Sequence, residues 1–177
     1  MNITGGKYNG RKIQAPSEKL VRPTLSKIRM SVFNTLYSLM DTFEGKTFLD
    51  MFGGSGIMGL EALSRGFNSV IVFEKNKQVA DIIRKNYIIL NEPLNLTLGD
   101  STKLIKNISQ HVDVIYIDPP YTKYAENIYY DSLKYLPPHK IIVLEHIIKL
   151  DLNEFNIIKQ KKYGDKYITF IEKLTDN

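Results

Sequence analysis

The chain has 177 residues, of which 43% are hydrophobic and 24% charged, and it contains no cysteine. Its length suits one domain with a substantial core, and its composition is typical of a globular protein. The lack of cysteine excludes disulfides, thiolate metal sites and cysteine nucleophiles, and the spacing of the three histidines matches no metal motif.

The same sequence argues against a membrane protein. No apolar run approaches the ~20 residues that a membrane span needs, and the N-terminus lacks the apolar segment of a signal peptide. We therefore expect a cytoplasmic protein without membrane contact. The net charge of +5 favours an anionic partner, with nucleic acid ahead of membrane.

The first 45 residues predict a small hairpin followed by a helix. Ile3-Thr4 and Lys12-Ile13-Gln14 have the composition to pair across an intervening glycine turn. We expect Thr24 to cap the helix. Apolar residues then recur at helical spacing, namely Leu25, Ile28, Val32, Leu36 and Leu39.

Basic side chains are concentrated in this N-terminal region, around Tyr8. Basic groups beside an aromatic ring suit phosphate contact and base stacking, although an exposed hairpin with solvated lysines has the same composition. The residues that we expect to contact a nucleic acid are Lys7, Arg11, Lys12, Arg22 and Arg29.

From residue 46 onward, predicted strands alternate with predicted helices. The strands are expected at residues 47–50, 70–74, 94–98, 112–117 and 141–144. This order predicts an α/β fold with a mostly parallel, doubly wound sheet that binds ligands at the carboxyl ends of its strands. Residues 155–163 and 166–173 flank Gly164-Asp165 and predict a closing antiparallel hairpin.

A glycine-rich turn follows the first predicted strand. Its spacing, Gly54-x-Gly56-x-x-Gly59, satisfies the dinucleotide fingerprint, which also fits a tight turn in any α/β domain. The second strand ends in Glu74 about twenty residues later, where an acid can accept hydrogen bonds from ribose hydroxyls. Asp50, directly before the turn, argues against a plain NAD site and suits a ligand such as S-adenosylmethionine.

Acidic residues end four of the predicted strands, namely Asp50, Glu74, Asp100 and Asp118. Because the carboxyl ends of parallel strands meet at one edge of a sheet, these acids outline a single site.

The fourth strand leads directly into Asp118-Pro119-Pro120-Tyr121. The two prolines cannot extend a sheet, and they fix the local backbone. The Asp118 carboxylate and the Pro119 carbonyl would accept hydrogen bonds from an exocyclic amine while its ring stacks on Tyr121. Two such acceptors favour a pyramidal nitrogen whose lone pair points at a methyl donor. Without the preceding strand, the same residues would be an ordinary surface turn.

Both motifs resemble those of a known class of enzymes. Asp50-x-Phe52-Gly53-Gly54-Ser55-Gly56 resembles motif I of the class I S-adenosylmethionine methyltransferases, and Asp118-Pro119-Pro120-Tyr121 resembles their amino-methylating motif. Over nearly the whole chain, further segments resemble the bacterial small-subunit ribosomal RNA (guanine-N2) methyltransferase family, RsmD type. They are Gly5-Gly6 with Gly10-Arg11-Lys12, Arg22-Pro23-Thr24 with Arg29 and Phe33-Asn34, residues 59–66, and Tyr163-Gly164-Asp165.

This resemblance implies a Rossmann-like class I methyltransferase with a C-terminal antiparallel hairpin and a small N-terminal hairpin-plus-helix extension. Residues 1–177 would form one domain, in which residues 1–45 contact RNA and residues 46–177 bind S-adenosylmethionine. The implied cofactor-binding residues are Asp50, Phe52, Gly53, Gly54, Ser55, Gly56, Glu74, Asp100, Ser101 and Asp118. The implied catalytic residues are Asp118, Pro119, Pro120 and Tyr121.

The implied activity is methylation of the N2 amine of one guanine in 16S ribosomal RNA, either free or in a small-subunit assembly particle, by a monomer without a metal. Two alternatives stay open at this point. A DNA adenine-N6 methyltransferase uses a similar motif but usually carries a target-recognition region, for which no stretch here is long enough. A non-catalytic RNA-binding assembly factor would not require the intact Asp118 and Tyr121.

Overall fold

A computed structural model describes residues 1–17, 24–122 and 124–172. Arg22, one of the residues expected to contact nucleic acid, lies outside the described residues. In chain order the helices and strands are α1 (Ser26–Met40), β1 (Thr47–Asp50), α2 (Ile57–Ser64), β2 (Ser69–Glu74), α3 (Lys77–Ile89), β3 (Asn95–Leu98), α4 (Ser101–Leu104), β4 (Val112–Ile117), α5 (Ala125–Lys134), β5 (His139–His146), β6 (Asn156–Tyr163) and β7 (Lys166–Glu172).

In the described part of the chain, seven strands form one sheet in the order β3-β2-β1-β4-β5-β7-β6. Strands β1 to β5 are parallel, whereas β7 runs antiparallel to both β5 and β6. The predicted doubly wound sheet and closing hairpin are thereby confirmed. Because β1 lies between β2 and β4, the strand order reverses there, and the resulting crevice at the carboxyl ends is where such sheets bind ligands.

Both faces of the sheet are covered, as the apolar strands require. Successive residues of β1 point to opposite faces: Phe48 belongs to the core beneath α1, α2 and α3, and Leu49 to the core beneath α5. The first core is aromatic at its centre, where Phe33 of α1 lies 5.7 Å from Phe48, centroid to centroid. These two cores fix the strand ends that carry the acids.

The N-terminal hairpin is real but short. The Ile3 N–H donates to the Arg11 carbonyl (3.0 Å), and the Ile13 N–H donates to the Met1 carbonyl (2.9 Å). A turn of 3₁₀ helix, Gly6–Tyr8, connects the two sides. Ile3 and Ile13 are both buried, so the hairpin packs against the main body.

Two details of the predicted first helix are wrong. Leu25, not Thr24, occupies the N-cap position, and no side chain caps the helix. Thr24 is instead buried, and its carbonyl accepts a hydrogen bond from Arg29. Leu25 is 51% exposed, so the apolar stripe begins one turn later. Its buried members are Ile28, Val32, Phe33, Leu36 and Met40.

No helix among residues 1–17, 24–122 and 124–172 has the length and apolarity needed to cross a membrane. Over the same residues, no group of three or more His, Cys, Asp or Glu side chains is arranged to hold a metal ion.

Candidate active site

A cleft of about 770 Å³ opens at the carboxyl ends of β1, β2 and β4. Its volume lies within the range of small-molecule sites. Most of the residues predicted for the site line it, namely Phe52, Gly54, Ser55, Glu74, Asp100, Ser101, Asp118, Pro119, Pro120 and Tyr121. Residues far apart in sequence thus meet at one edge of the sheet, as the strand-end argument predicts.

The glycine-rich turn is tied to the end of β2. The Gly53 N–H donates to the Phe73 carbonyl (2.8 Å), and the Gly54 N–H donates to a carboxylate oxygen of Glu74 (3.0 Å). Gly54 and Gly56 have φ values of 53° and 76°, in the left-handed region that favours glycine. The loop is therefore held in one conformation by its own hydrogen bonds.

Two glycines of this region are required by close packing against neighbouring side chains. A Cβ on Gly53 would lie 2.5 Å from a methyl group of Val72, and one on Gly59 would lie 2.3 Å from the Tyr87 hydroxyl. Neither Gly53 nor Gly56 lines the cleft. Gly53 and Gly56 let the turn pack closely on β2 and α3, while Gly54 faces the cleft; the expected contact of Gly53 and Gly56 with the cofactor stays a prediction.

Asp50 lies beneath the same turn, at the end of β1. It is 1% exposed and does not line the cleft, and its expected contact with the cofactor stays a prediction. One carboxylate oxygen accepts a hydrogen bond from the Phe52 N–H (3.3 Å). Burial raises the pKa of Asp50 to about 7, and the hydrogen bond from the Phe52 N–H partly opposes this rise. Asp50 therefore supports the loop from beneath.

The acid after β3 is fixed by the helix that it begins. Asp100 caps α4: its carboxylate accepts hydrogen bonds from the Thr102 N–H (3.1 Å) and from the Thr102 hydroxyl (2.7 Å). The hydroxyl hydrogen bond is the main cause that lowers the pKa of Asp100. The adjacent Ser101 hydroxyl donates to the Met51 carbonyl, which joins this turn to the end of β1.

Residues 118–121, which we call the acceptor corner, form the opposite wall of the cleft. Asp118 and Tyr121 both line the cleft, the Tyr121 hydroxyl lies 3.5 Å from a carboxylate oxygen of Glu145, and Pro119 is buried. Burial, and then the nearby Glu145 carboxylate, raises the pKa of Asp118 well above its usual range. Burial likewise raises the pKa of Tyr121, so its hydroxyl stays protonated.

Sequence reasoning missed a buried ion pair beside the acceptor corner. Lys166, the first residue of β7, lines the cleft and contacts the carboxylate of Glu145 near the end of β5. The sequence could have indicated Glu145 as a site residue, because it is another acid at the end of a predicted strand. It did not indicate Lys166, because the position of Lys166 depends on β7 lying next to β5. The other lining residues not predicted are Thr24, Phe73, Lys75, Thr102, Tyr124, Asn127, Ile128 and Asp131.

The basic residues expected to contact nucleic acid divide into two groups. Arg11 and Lys12 are exposed on the hairpin, and Lys7 is exposed although it pairs with Glu92. Arg29, by contrast, is 2% exposed and donates to a Glu61 carboxylate oxygen at 3.1 Å. The expectation that Arg29 contacts RNA is wrong, because its guanidinium is enclosed between α1, α2 and the N-terminal segment.

The strand order, the glycine-rich turn after β1 and the acceptor corner after β4 together define a class I methyltransferase. The family model described as "Conserved hypothetical protein 95" matches residues 1–172. The chain belongs to this family, which is that of the RsmD-type methyltransferases, and the resemblance drawn from its motifs is confirmed.

Curated relatives agree with this assignment. The Ribosomal RNA small subunit methyltransferase D of Haemophilus influenzae is 34% identical over 127 residues, which cover 68% of this chain and 64% of that protein. YlbH of Bacillus subtilis is 28% identical over 162 residues, covering 87% of this chain and 86% of that one. The solved structure of YhhF from Escherichia coli shares the fold, with a TM-score of 0.80 at 21% identity over 98% of this chain and 97% of that chain.

Proposed function

We propose that this protein transfers a methyl group from S-adenosylmethionine to the exocyclic N2 amine of one guanine in 16S ribosomal RNA. One observation carries the proposal: the acceptor corner faces the same cleft as the glycine-rich turn, Glu74 and Asp100. A donor site and an amine-acceptor site thus share one space. The name of the Haemophilus influenzae relative, which specifies small-subunit ribosomal RNA, supports the choice of substrate.

The residues of the cleft fit S-adenosylmethionine. Gly54 presents a surface without a side chain, and the half-buried Glu74 and Asp100 carboxylates offer oxygen acceptors on the same wall. In this assignment the Gly54-Ser55 turn holds the methionine part, Glu74 accepts from the ribose hydroxyls, and Asp100 accepts from the adenine amine. When bound, S-adenosylmethionine supplies a methyl group made electrophilic by the sulfonium.

The acceptor corner prepares the amine. An exocyclic amine of a nucleobase is a weak nucleophile because its lone pair is delocalised into the ring. The Asp118 carboxylate and the Pro119 carbonyl would each accept a hydrogen bond from one of its two N–H groups, which favours a pyramidal nitrogen. The Tyr121 ring would hold the base by stacking. The raised pKa of Asp118 suits it to take up the proton that the nitrogen releases. Orientation of the reactants supplies up to roughly 7–11 kcal/mol of the barrier reduction.

The geometry also sets a requirement on the RNA. A base that must reach a cleft at the sheet edge is unpaired or flipped out of its helix. The exposed Arg11 and Lys12 would then contact the phosphates that flank it.

The deciding experiment is a methylation assay with labelled S-adenosylmethionine. The protein is incubated separately with 16S ribosomal RNA, assembled small subunits and DNA, and the methylated nucleoside is identified by its mass. We expect N2-methylguanosine from ribosomal RNA or from the subunits. N6-methyladenine in DNA would instead support the DNA methyltransferase, and the absence of label together with RNA binding would support a non-catalytic assembly factor.

A further inference from the structure

A positively charged surface lies where α1 packs against β6, the strand at one edge of the sheet. Lys161 of β6 extends to α1, where its ammonium donates hydrogen bonds to the hydroxyls of Thr35 (2.8 Å) and Ser31 (3.1 Å). The Tyr163 hydroxyl also donates to the Ser31 hydroxyl. We call this region the α1–β6 surface; its residues are Lys27, Ser31, Lys159, Lys161 and Tyr163.

Two exposed lysines extend this surface on either side of Lys161. Lys159 lies on the same face of β6, because side chains two residues apart in a strand point the same way. Lys27 lies one turn before Ser31 on α1, and residues four apart are neighbours on a helix surface. Three ammonium groups therefore lie along the line where α1 meets β6.

The surroundings of Lys161 differ from those of the other basic side chains that are buried or half-buried in the described part of the chain. Those others each pair with a carboxylate: Arg29 and Arg65 with Glu61, Lys46 with Asp113, and Lys166 with Glu145. Lys161 is held by neutral hydroxyls instead, and it has no ion pair with a described carboxylate. Partial burial of a charge without a counter-charge is unfavourable, so this arrangement suits an anion that comes from outside.

The rest of the surface does not supply that counter-charge. Neither α1 nor β6 contains an aspartate or a glutamate. Lysines on an edge strand also hinder its pairing with other chains. Such lysines can serve that purpose while fully solvated, whereas the Lys161 ammonium is fixed against α1.

The α1–β6 surface begins at the rim of the cleft. Thr24, two residues before α1, lines the cleft, and so does Lys166 of β7. Lys166 is the register partner of Tyr163, so their Cα atoms are about 4.5–5.5 Å apart. A nucleotide strand with one base in the cleft would thus pass over this surface. The N-terminal hairpin is bound to α2 and α3 instead, so it forms a separate basic region.

We propose that the α1–β6 surface binds phosphates of the RNA strand next to the target guanine, with Lys161 as its preset contact. This inference rests on the proposed function. The two hydroxyls hold the Lys161 ammonium in place and leave one of its three N–H donors for a phosphate oxygen. Lys27 and Lys159 would neutralise neighbouring phosphates, and such contacts position a nucleic acid without reading its sequence.

The test measures RNA binding and turnover in matched variants. Lys161→Met removes the ammonium at similar volume, and Lys161→Arg keeps the charge. Lys27→Met combined with Lys161→Met removes two cations. Lys134→Met combined with Lys140→Met is the control, because it removes two exposed cations at the end of α5 and the start of β5. Binding of 16S ribosomal RNA is measured by filter binding between about 50 and 200 mM salt.

Each lost phosphate contact should reduce the dependence of binding on salt. For Lys161→Met we expect the slope of log K against log salt to become smaller by about 0.7–0.9, and for Lys27→Met with Lys161→Met by about 1.4–1.8. KM for RNA should rise, while kcat changes less than about twofold. Lys161→Arg and the control should keep the slope of the unmodified protein, and calorimetry should show an unchanged affinity for S-adenosylmethionine in every variant.

Two outcomes would overturn the proposal. The first is an unchanged slope in Lys161→Met and in the double variant, which would leave Lys161 a structural role only. The second is an equal reduction in the Lys134 and Lys140 control, which would assign the effect to total charge. If Lys161→Met does not fold by circular dichroism, Lys27→Met combined with Lys159→Met gives the same decision at exposed sites.

The failure of this inference and that of the proposed function are distinguishable, because RNA binding does not require methyl transfer. An unmodified protein that binds ribosomal RNA without methylating it would refute the proposed function. The salt slopes of the variants would still decide whether the α1–β6 surface contacts the RNA.

Discussion

Arg29 of α1 and Glu61 of α2 form an ion pair that is almost fully removed from water, with Nε and Oε1 3.1 Å apart. The same guanidinium donates to the Asn2 carbonyl at 2.6 Å. Removing one partner of a buried pair is strongly destabilising. Arg65 would still lie 3.1 Å from the second carboxylate oxygen of Glu61, but the Thr24 and Asn2 carbonyls would lose their donor. We therefore expect Arg29→Met to lower the free energy of unfolding by about 3–5 kcal/mol, as measured by urea denaturation. Lys27→Met, an exposed change on the same helix, is the control and should have little effect.

Substitutions on the exposed surface of the N-terminal hairpin should change RNA affinity rather than stability. Replacing Arg11 and Lys12 by alanine removes two exposed charges, so we expect weaker binding of ribosomal RNA with a smaller dependence on salt. Filter binding at several salt concentrations measures both quantities, and the unfolding free energy should hardly change. An unaltered salt dependence would show that the RNA lies elsewhere.

Asp118→Ala should abolish methyl transfer while S-adenosylmethionine still binds, because the acceptor for the amine is lost and the wall formed by Gly54 and Glu74 is intact. Calorimetry measures the cofactor affinity, and a radiolabel assay measures the turnover. Asp131→Ala removes another carboxylate that lines the cleft and should retain activity. A variant of Asp118 that loses cofactor affinity in the same proportion as turnover would contradict the assigned role.

Tyr121→Ala should raise the free-energy barrier of kcat/KM by roughly 1–3 kcal/mol through the loss of base stacking. Tyr121→Phe keeps the ring and removes the hydroxyl that lies 3.5 Å from Glu145. If stacking is the main contribution, the phenylalanine variant should stay close to the unmodified protein. Equal losses in both variants would assign the effect to the hydroxyl instead.

The pH dependence of stability should carry a contribution from Asp50. Burial raises the pKa of Asp50 from 3.8 to about 7, so between these values the folded state holds a proton that the unfolded chain has released. This contribution is fully present below about pH 4 and is lost as the pH rises through 7, an effect on the order of 4 kcal/mol.

Asp50→Asn removes this titration and should flatten the stability profile between about pH 5 and pH 8 in urea denaturation. Asp131→Asn, at an exposed site, serves as the control and should leave the profile unchanged. A profile for Asp50→Asn that falls as steeply as that of the unmodified protein would mean that other groups set the slope.

The sequence by itself determined the order of strands and helices, the glycine-rich turn, the acids at the strand ends and the acceptor corner. These features are local: periodicity of two or 3.6 residues, glycine at positive φ and proline after a strand all act within a few neighbouring residues. The edge at which the acids meet follows from parallel pairing, so Glu74, Asp100 and Asp118 were correctly brought together.

Only the tertiary structure decided which charged groups face the cleft. Arg29 and Asp50 have the residue types of binding groups, yet both are buried by segments that are distant in sequence. Lys166 reaches the acceptor corner because β7 pairs with β5 and separates it from β6, a long-range arrangement. The exposure of a charge depends on the packing of non-local segments around it, and no local pattern in the chain records that packing.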